Sequence, residues 1–109
     1  METEQSSSQS TTATTTAANY KLPSGITLQH CAKIAIVEDR PIMFDYWTAS
    51  CDKDVLIGVR ESGEKLLVKS EDEYTSPISK IFKTGNEFLV ITENSIYIVS
   101  NTIPMKKIS

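Results

Sequence analysis

The sequence predicts an all-β fold: a small antiparallel meander forming a barrel or sandwich of about six to seven strands, behind a disordered N-terminal tail. Three observations carry that expectation. Residues 78–100, ISKIFKTGNEFLVITENSIYIVS, read as three strands joined by two tight turns. Residues 55–69 read as a hairpin around Ser62-Gly63. Residues 1–18 hold ten Ser or Thr and no aromatic or branched aliphatic residue, so ordering them would cost chain entropy with nothing to bury.

Taken in order, residues 1–25 form a tail and linker, with Pro23 and Gly25 as breakers, and residues 26–109 form the domain. Residues 26–38 alternate Ala32, Ile34 and Ile36 against Lys33, Ala35 and Val37, which predicts one strand. After a turn at Pro41, a second strand carries Ile42, Phe44 and Tyr46 on one face and Met43, Asp45 and Trp47 on the other. Trp47, the sole tryptophan, is either core or an exposed aromatic anchor beside Asp45. Residues 48–54 are a polar connection.

In the hairpin, Gly58 marks a bulge or a close approach, and Lys65 and Lys69 are expected on a wet face. Ser70 with Glu73 reads as a capping box for one helical turn; Ser70 and Ser76 are also accessible candidate phosphorylation sites. In the meander, Gly85 and Asn94 supply the turns, and both parities of FLVIT are apolar, so the middle strand has protein on both faces. Ile103 and Met105 close the sheet, with Lys106 and Lys107 exposed.

Charge and composition exclude more than they assign. A formal net charge of −3 over 109 residues argues against general phosphate binding. No run approaches a membrane span and the N-terminus lacks a secretory pattern, which predicts a soluble, intracellular, cytoplasmic protein with no membrane partner. Cys31 and Cys51 lack any metal-ligand spacing and read as free thiols. His30 and Cys31 are neighbours whose side chains diverge, the four glycines form no phosphate loop, and no enzyme activity or cofactor is expected.

The block 41–100, through IMFDYW, IGVRESGEKLLVKSEDEYTSPISKI and ITENSIYIVS, resembles small uncharacterised proteins of nucleocytoplasmic large DNA viruses. That resemblance implies an infected-cell cytoplasm or virion as context, and no mechanism. The functional expectation is a non-catalytic protein-interaction or structural module whose partner is another protein, in a viral assembly where the resemblance holds. Its candidate partner-binding residues are Met43, Asp45, Trp47, Glu71, Asp72, Glu73 and Tyr74. The alternative is an OB-like or SH3-like barrel binding nucleic acid through Lys65, Lys69, Lys80 and Lys83, with Phe82 or Tyr97 as a stacking platform.

Overall fold

Ser24 caps the first element. Its side-chain oxygen accepts from the Thr27 amide, and helix α1 follows over Gly25–Glu38, ending at Asp39 in a left-handed conformation (φ 55, ψ 51). The computed structural model describes residues 21–108. The expected tail therefore lies, through residue 20, outside the described residues. Lys21 and its neighbours lie against the domain: Pro23 is buried, and the Lys21 carbonyl accepts from the Trp47 indole N–H at 2.7 Å.

α1 overturns the strand expected at 26–38. The residues that meet the rest of the protein are Thr27, Leu28, Cys31, Ile34 and Ala35, a spacing of three to four that belongs to a helix. The alternation was apparent only, since both parities of KIAIV are apolar after Lys33.

Strand β1 (Ile42–Met43) comes next; the second expected strand ends there, and a turn at Asp45 and Tyr46 leads into a short helix α2 (Trp47–Cys51). Tyr46 and Trp47 are both buried, one in each of two clusters. Seven strands follow: β2 (Leu56–Val59), β3 (Lys65–Ser70), β4 (Glu73–Tyr74), β5 (Ile78–Thr84), β6 (Glu87–Thr92), β7 (Ile96–Ser100) and β8 (Met105–Lys107).

These strands make two four-stranded sheets, ordered β1-β7-β6-β5 and β4-β3-β2-β8. The domain is thus mostly strand, in two open sheets with two helices, and not a closed all-β barrel. Nor is it purely antiparallel, because β1 runs parallel to β7 and β2 parallel to β8. The meander β5-β6-β7 forms as expected, with Gly85 at φ 59 in the first turn. At the second turn Thr92 Oγ1 accepts from the amides of Asn94 and Ser95 at 3.3 and 3.1 Å.

Two clusters hold the layers together. Between the sheets lie Tyr46, Val55, Ile57, Leu67, Val90, Val99 and Ile103. On the other face of the first sheet, Leu89, Ile91, Ile96 and Ile98 meet Cys31 of α1 and Trp47. Each fully buried large aliphatic contributes about 1.5–3 kcal/mol. β6 supplies both clusters, so it does have protein on both faces. α2 stands where the clusters meet, fixed by Ser50, whose Oγ donates to the Trp47 carbonyl at 2.6 Å and accepts from the Ser100 amide at 2.9 Å.

Three local expectations change. Ser70 and Glu73 are paired across a two-residue β3–β4 turn, so no helical turn forms there. The parity of Lys65 and Lys69 is the core side of β3, with Leu67 wholly buried between them; the lysines flank the core at its ends. Met105 is 56% exposed, and Ile103 alone of that pair enters the core.

Candidate protein-interaction groove

Residues paired across an antiparallel ladder point to one face of the sheet. Lys80 pairs with Ile91 and Phe82 with Leu89, so both rise on the face that α1 covers. α1, however, packs on β1, β6 and β7. The outer column of β5 is left uncovered, and Phe82 is 43% exposed.

The result is a groove along the flank of α1, made of two adjoining depressions of about 410 Å³ each that share Ile34 and Phe82. His30, Lys33, Ile34 and Val37 form the helix wall, and Leu89 and Ile91 the floor. Val37 is 72% exposed, a large apolar side chain on the helix wall of the groove. The rim is basic. Lys33, Arg40, Lys80 and Lys83 line it against a single carboxylate, Glu38. Arg40 is partly committed, donating to the Thr92 carbonyl at 2.8 Å. Among the described residues the ion pairs are Arg60–Glu64 and Lys69–Glu73, and the rim lysines belong to neither.

The wall is anchored at its start. Glu87 is 5% exposed and its Oε1 accepts from the hydroxyls of Ser24 (2.9 Å) and Thr27. A carboxylate placed at the N-terminus of α1 also complements the helix dipole. Thr27 Oγ1 additionally lies 3.1 Å from the Thr84 carbonyl, linking α1 to the end of β5.

The residues expected to bind a partner are divided by the structure. Trp47 is 5% exposed, its indole N–H bonded to the Lys21 carbonyl, so it serves the core and presents nothing to a partner. Met43 is 36% exposed on β1, at the other edge of the first sheet. Asp45 and Glu73 do come near one another, around Lys69: its Nζ donates to the Asp45 carbonyl at 2.9 Å, pairs with Glu73 at 3.2 Å and sits 4.8 Å from the centre of the Tyr46 ring. Tyr74 pairs with Val68 and lines a separate depression with Val68, Ser70 and Glu71. Glu71 and Asp72 project from the β3–β4 turn.

The expected four-lysine face is likewise divided. Lys80 and Lys83 border the groove; Lys65 shares a separate shallow depression with Lys80; Lys69 is held by Glu73. Of the two stacking candidates Phe82 is open, whereas Tyr97 packs edge-on to Tyr46 at 5.4 Å. Ser70 is exposed, its Oγ accepting from the Asp72 amide at 3.3 Å, while Ser76 is half-buried and accepts from Asn94 Nδ2 at 3.2 Å.

His30 and Cys31 are neighbours on a helix rather than a strand, His30 exposed and Cys31 wholly buried. Burial pushes both thiols up, and both are free. Among the described residues no three of His, Cys, Asp and Glu gather as metal ligands, and no helix is long and apolar enough to cross a membrane.

The domain belongs to the class of small two-sheet proteins with a helical layer on one face. No family model, no curated protein and no solved structure matches the chain.

Proposed function

We propose that this chain is a non-catalytic protein-interaction module that holds a segment of a partner protein in the groove between α1 and β5. The observation that carries the reading is the uncovered column of β5: Phe82 and Val37 stand exposed on opposite sides of an apolar floor, and the rim is cationic. Isolated exposed apolar residues need no explanation, but two facing each other across a groove with a cationic rim form a recognition surface. The resemblance to small viral proteins supports infected-cell cytoplasm or a virion as the place where the partner is met.

One arrangement favours a second reading. Phe82 lies between Lys80 and Lys83, which is how single-stranded nucleic acid is stacked and neutralised. A capture experiment separates the two. Tagged wild-type chain and a Val37→Ser/Phe82→Ala variant, both changes at exposed positions and the variant first shown to melt close to wild type, are incubated with extract with and without nuclease. Partners retained after nuclease by the wild type and lost by the variant support the groove. Partners that the variant keeps would place binding elsewhere, and partners that vanish with nuclease would assign the groove to nucleic acid.

A further inference from the structure

We infer that the segment held in the groove is an acidic amphipathic α-helix of about 14 residues, laid beside α1 over β5. This rests on the groove reading above and adds the occupant's conformation and chemistry. Strands in a sheet lie about 4.8 Å apart and a helix covers about 10 Å of sheet, so a four-stranded sheet offers room for more than one helix. α1 occupies the part over β1, β6 and β7. A second helix would rest on Phe82 and the aliphatic stem of Lys80, with its side against α1.

The wall of α1 is built for that contact. His30, Lys33, Ile34 and Val37 recur at i, i+3, i+4 and i+7, the spacing by which one helix presents a ridge to another. The groove runs along α1 from beside His30 to Glu38 and on to Arg40, and the 7 residues of β5 beneath it span roughly 23 Å, the length of about 14 to 15 helical residues.

Rival occupants fit worse. A strand added to the free edge of β5 would meet a register shift between Ile78 and Lys80, with Ser79 Oγ turned back onto the Ile91 carbonyl at 2.9 Å. Bulges and lysines are the devices by which edge strands refuse partners. A second copy offering its α1 would bring Lys33 against Lys80 and Lys83. Among the described residues, the acidic run Glu71-Asp72-Glu73 sits in a tight hairpin rather than a helix. The carboxylates of the proposed occupant belong to another protein and flank an apolar ridge, so that one row meets Lys33 and the other Lys80 and Lys83.

The test uses the full chain and three labelled peptides of about 14 residues. The first has Leu at helical spacing among Glu; the second has the same composition with Leu and Glu alternating; the third replaces Glu by Lys in the first. A labelled oligothymidylate serves as the nucleic-acid probe. Anisotropy gives affinity, circular dichroism gives helix gained, and amide shifts give location. The helical acidic peptide should bind, gain helix and shift His30, Lys33, Val37 and Phe82, while its lysine version should not bind. Lys80→Glu/Lys83→Glu should weaken binding by about ten-fold or more without lowering the melting temperature. Preferential binding of the alternating peptide along β5 would overturn the helix and leave the groove reading intact. Binding of the helical peptide that ignores the double charge reversal and shifts other residues would overturn both. Oligothymidylate shifting the groove where neither acidic peptide does would also overturn both, in favour of nucleic acid.

Discussion

Gly58 shows how much one missing methyl decides. A Cβ there would stand 2.7 Å from Ile108 Cδ1 and 3.1 Å from Val68 Cγ2. Register from Leu56 to Val59 is unbroken, so the glycine marks close packing of a side chain over the strand and not a bulge. Ile108 is held in place by its own amide, which donates to the Val59 carbonyl at 2.8 Å. Gly58→Ala should therefore cost about 1–3 kcal/mol by urea unfolding, since the added methyl displaces Ile108. In an Ile108→Ala background the same substitution should cost distinctly less, because the nearest atoms have gone. Simple additivity of the two changes would mean that the contact carries no strain. The sequence marked Gly58 but could not name its neighbour, which lies 50 positions along the chain. Trp47 was harder still: strand parity set it beside Met43 and Asp45, and the single turn of α2 rotates it inward.

At the level of the element, α1 depends on its first turn. Glu87 joins it to the β5–β6 hairpin through two hydroxyls in a buried site, and Gly85 leaves Ser24 room, since a Cβ there would stand 3.4 Å from Ser24 Oγ. Glu87→Ala would remove the shared acceptor of both hydroxyls, leaving them the Thr84 carbonyl and each other, and would remove the charge at the helix N-terminus, a loss of about 1–3 kcal/mol. Amide exchange should locate the loss. The α1 amides should exchange faster while those at the centre of β6 and β7 keep their protection, since the inter-sheet cluster does not contain α1. Uniform acceleration would show instead that α1 and the sheets open as one unit. The helix was legible in principle from Ser24 and the spacing of Thr27, Leu28, Cys31, Ile34 and Ala35. It was hidden by Ile, Val and Ala at nearly every position from 34 to 37, which satisfies either period. The groove wall, being a property of that helix, was hidden with it. The meander had no such ambiguity, because Gly85 and Asn94 cut its apolar runs to strand length.

For the whole molecule, local patterns cannot supply the pairings that close it. Ile42 meets Ile96 and Ile57 meets Met105 in parallel, joining segments whose sequences carry no mark of each other. The face-to-face packing that results leaves tyrosines inside, and this gives the fold a pH limit. Tyr46 is 3% exposed in the inter-sheet cluster, and burial first, then the nearby Glu73, Tyr97 and Asp45, push its phenol from 10.0 to about 12. Tyr97, edge-on to it, is raised for the same leading reason, and the Cys31 thiol is raised by burial from 9.0. For each group the folded state holds its proton more tightly than the unfolded state does. Their contribution is then fully present below the unfolded values and is lost as pH rises through the folded ones. Stability to urea should accordingly hold level through neutral pH, begin to fall above about 9 as the unfolded thiol ionises, and fall most steeply between about 10 and 12. Tyr46→Phe should flatten that upper slope, because a ring with no proton to lose has no ionised form for the unfolded state to favour. An unchanged slope in Tyr46→Phe would mean that Tyr46 ionises alike in both states, and that the cluster between the sheets admits water at its edge.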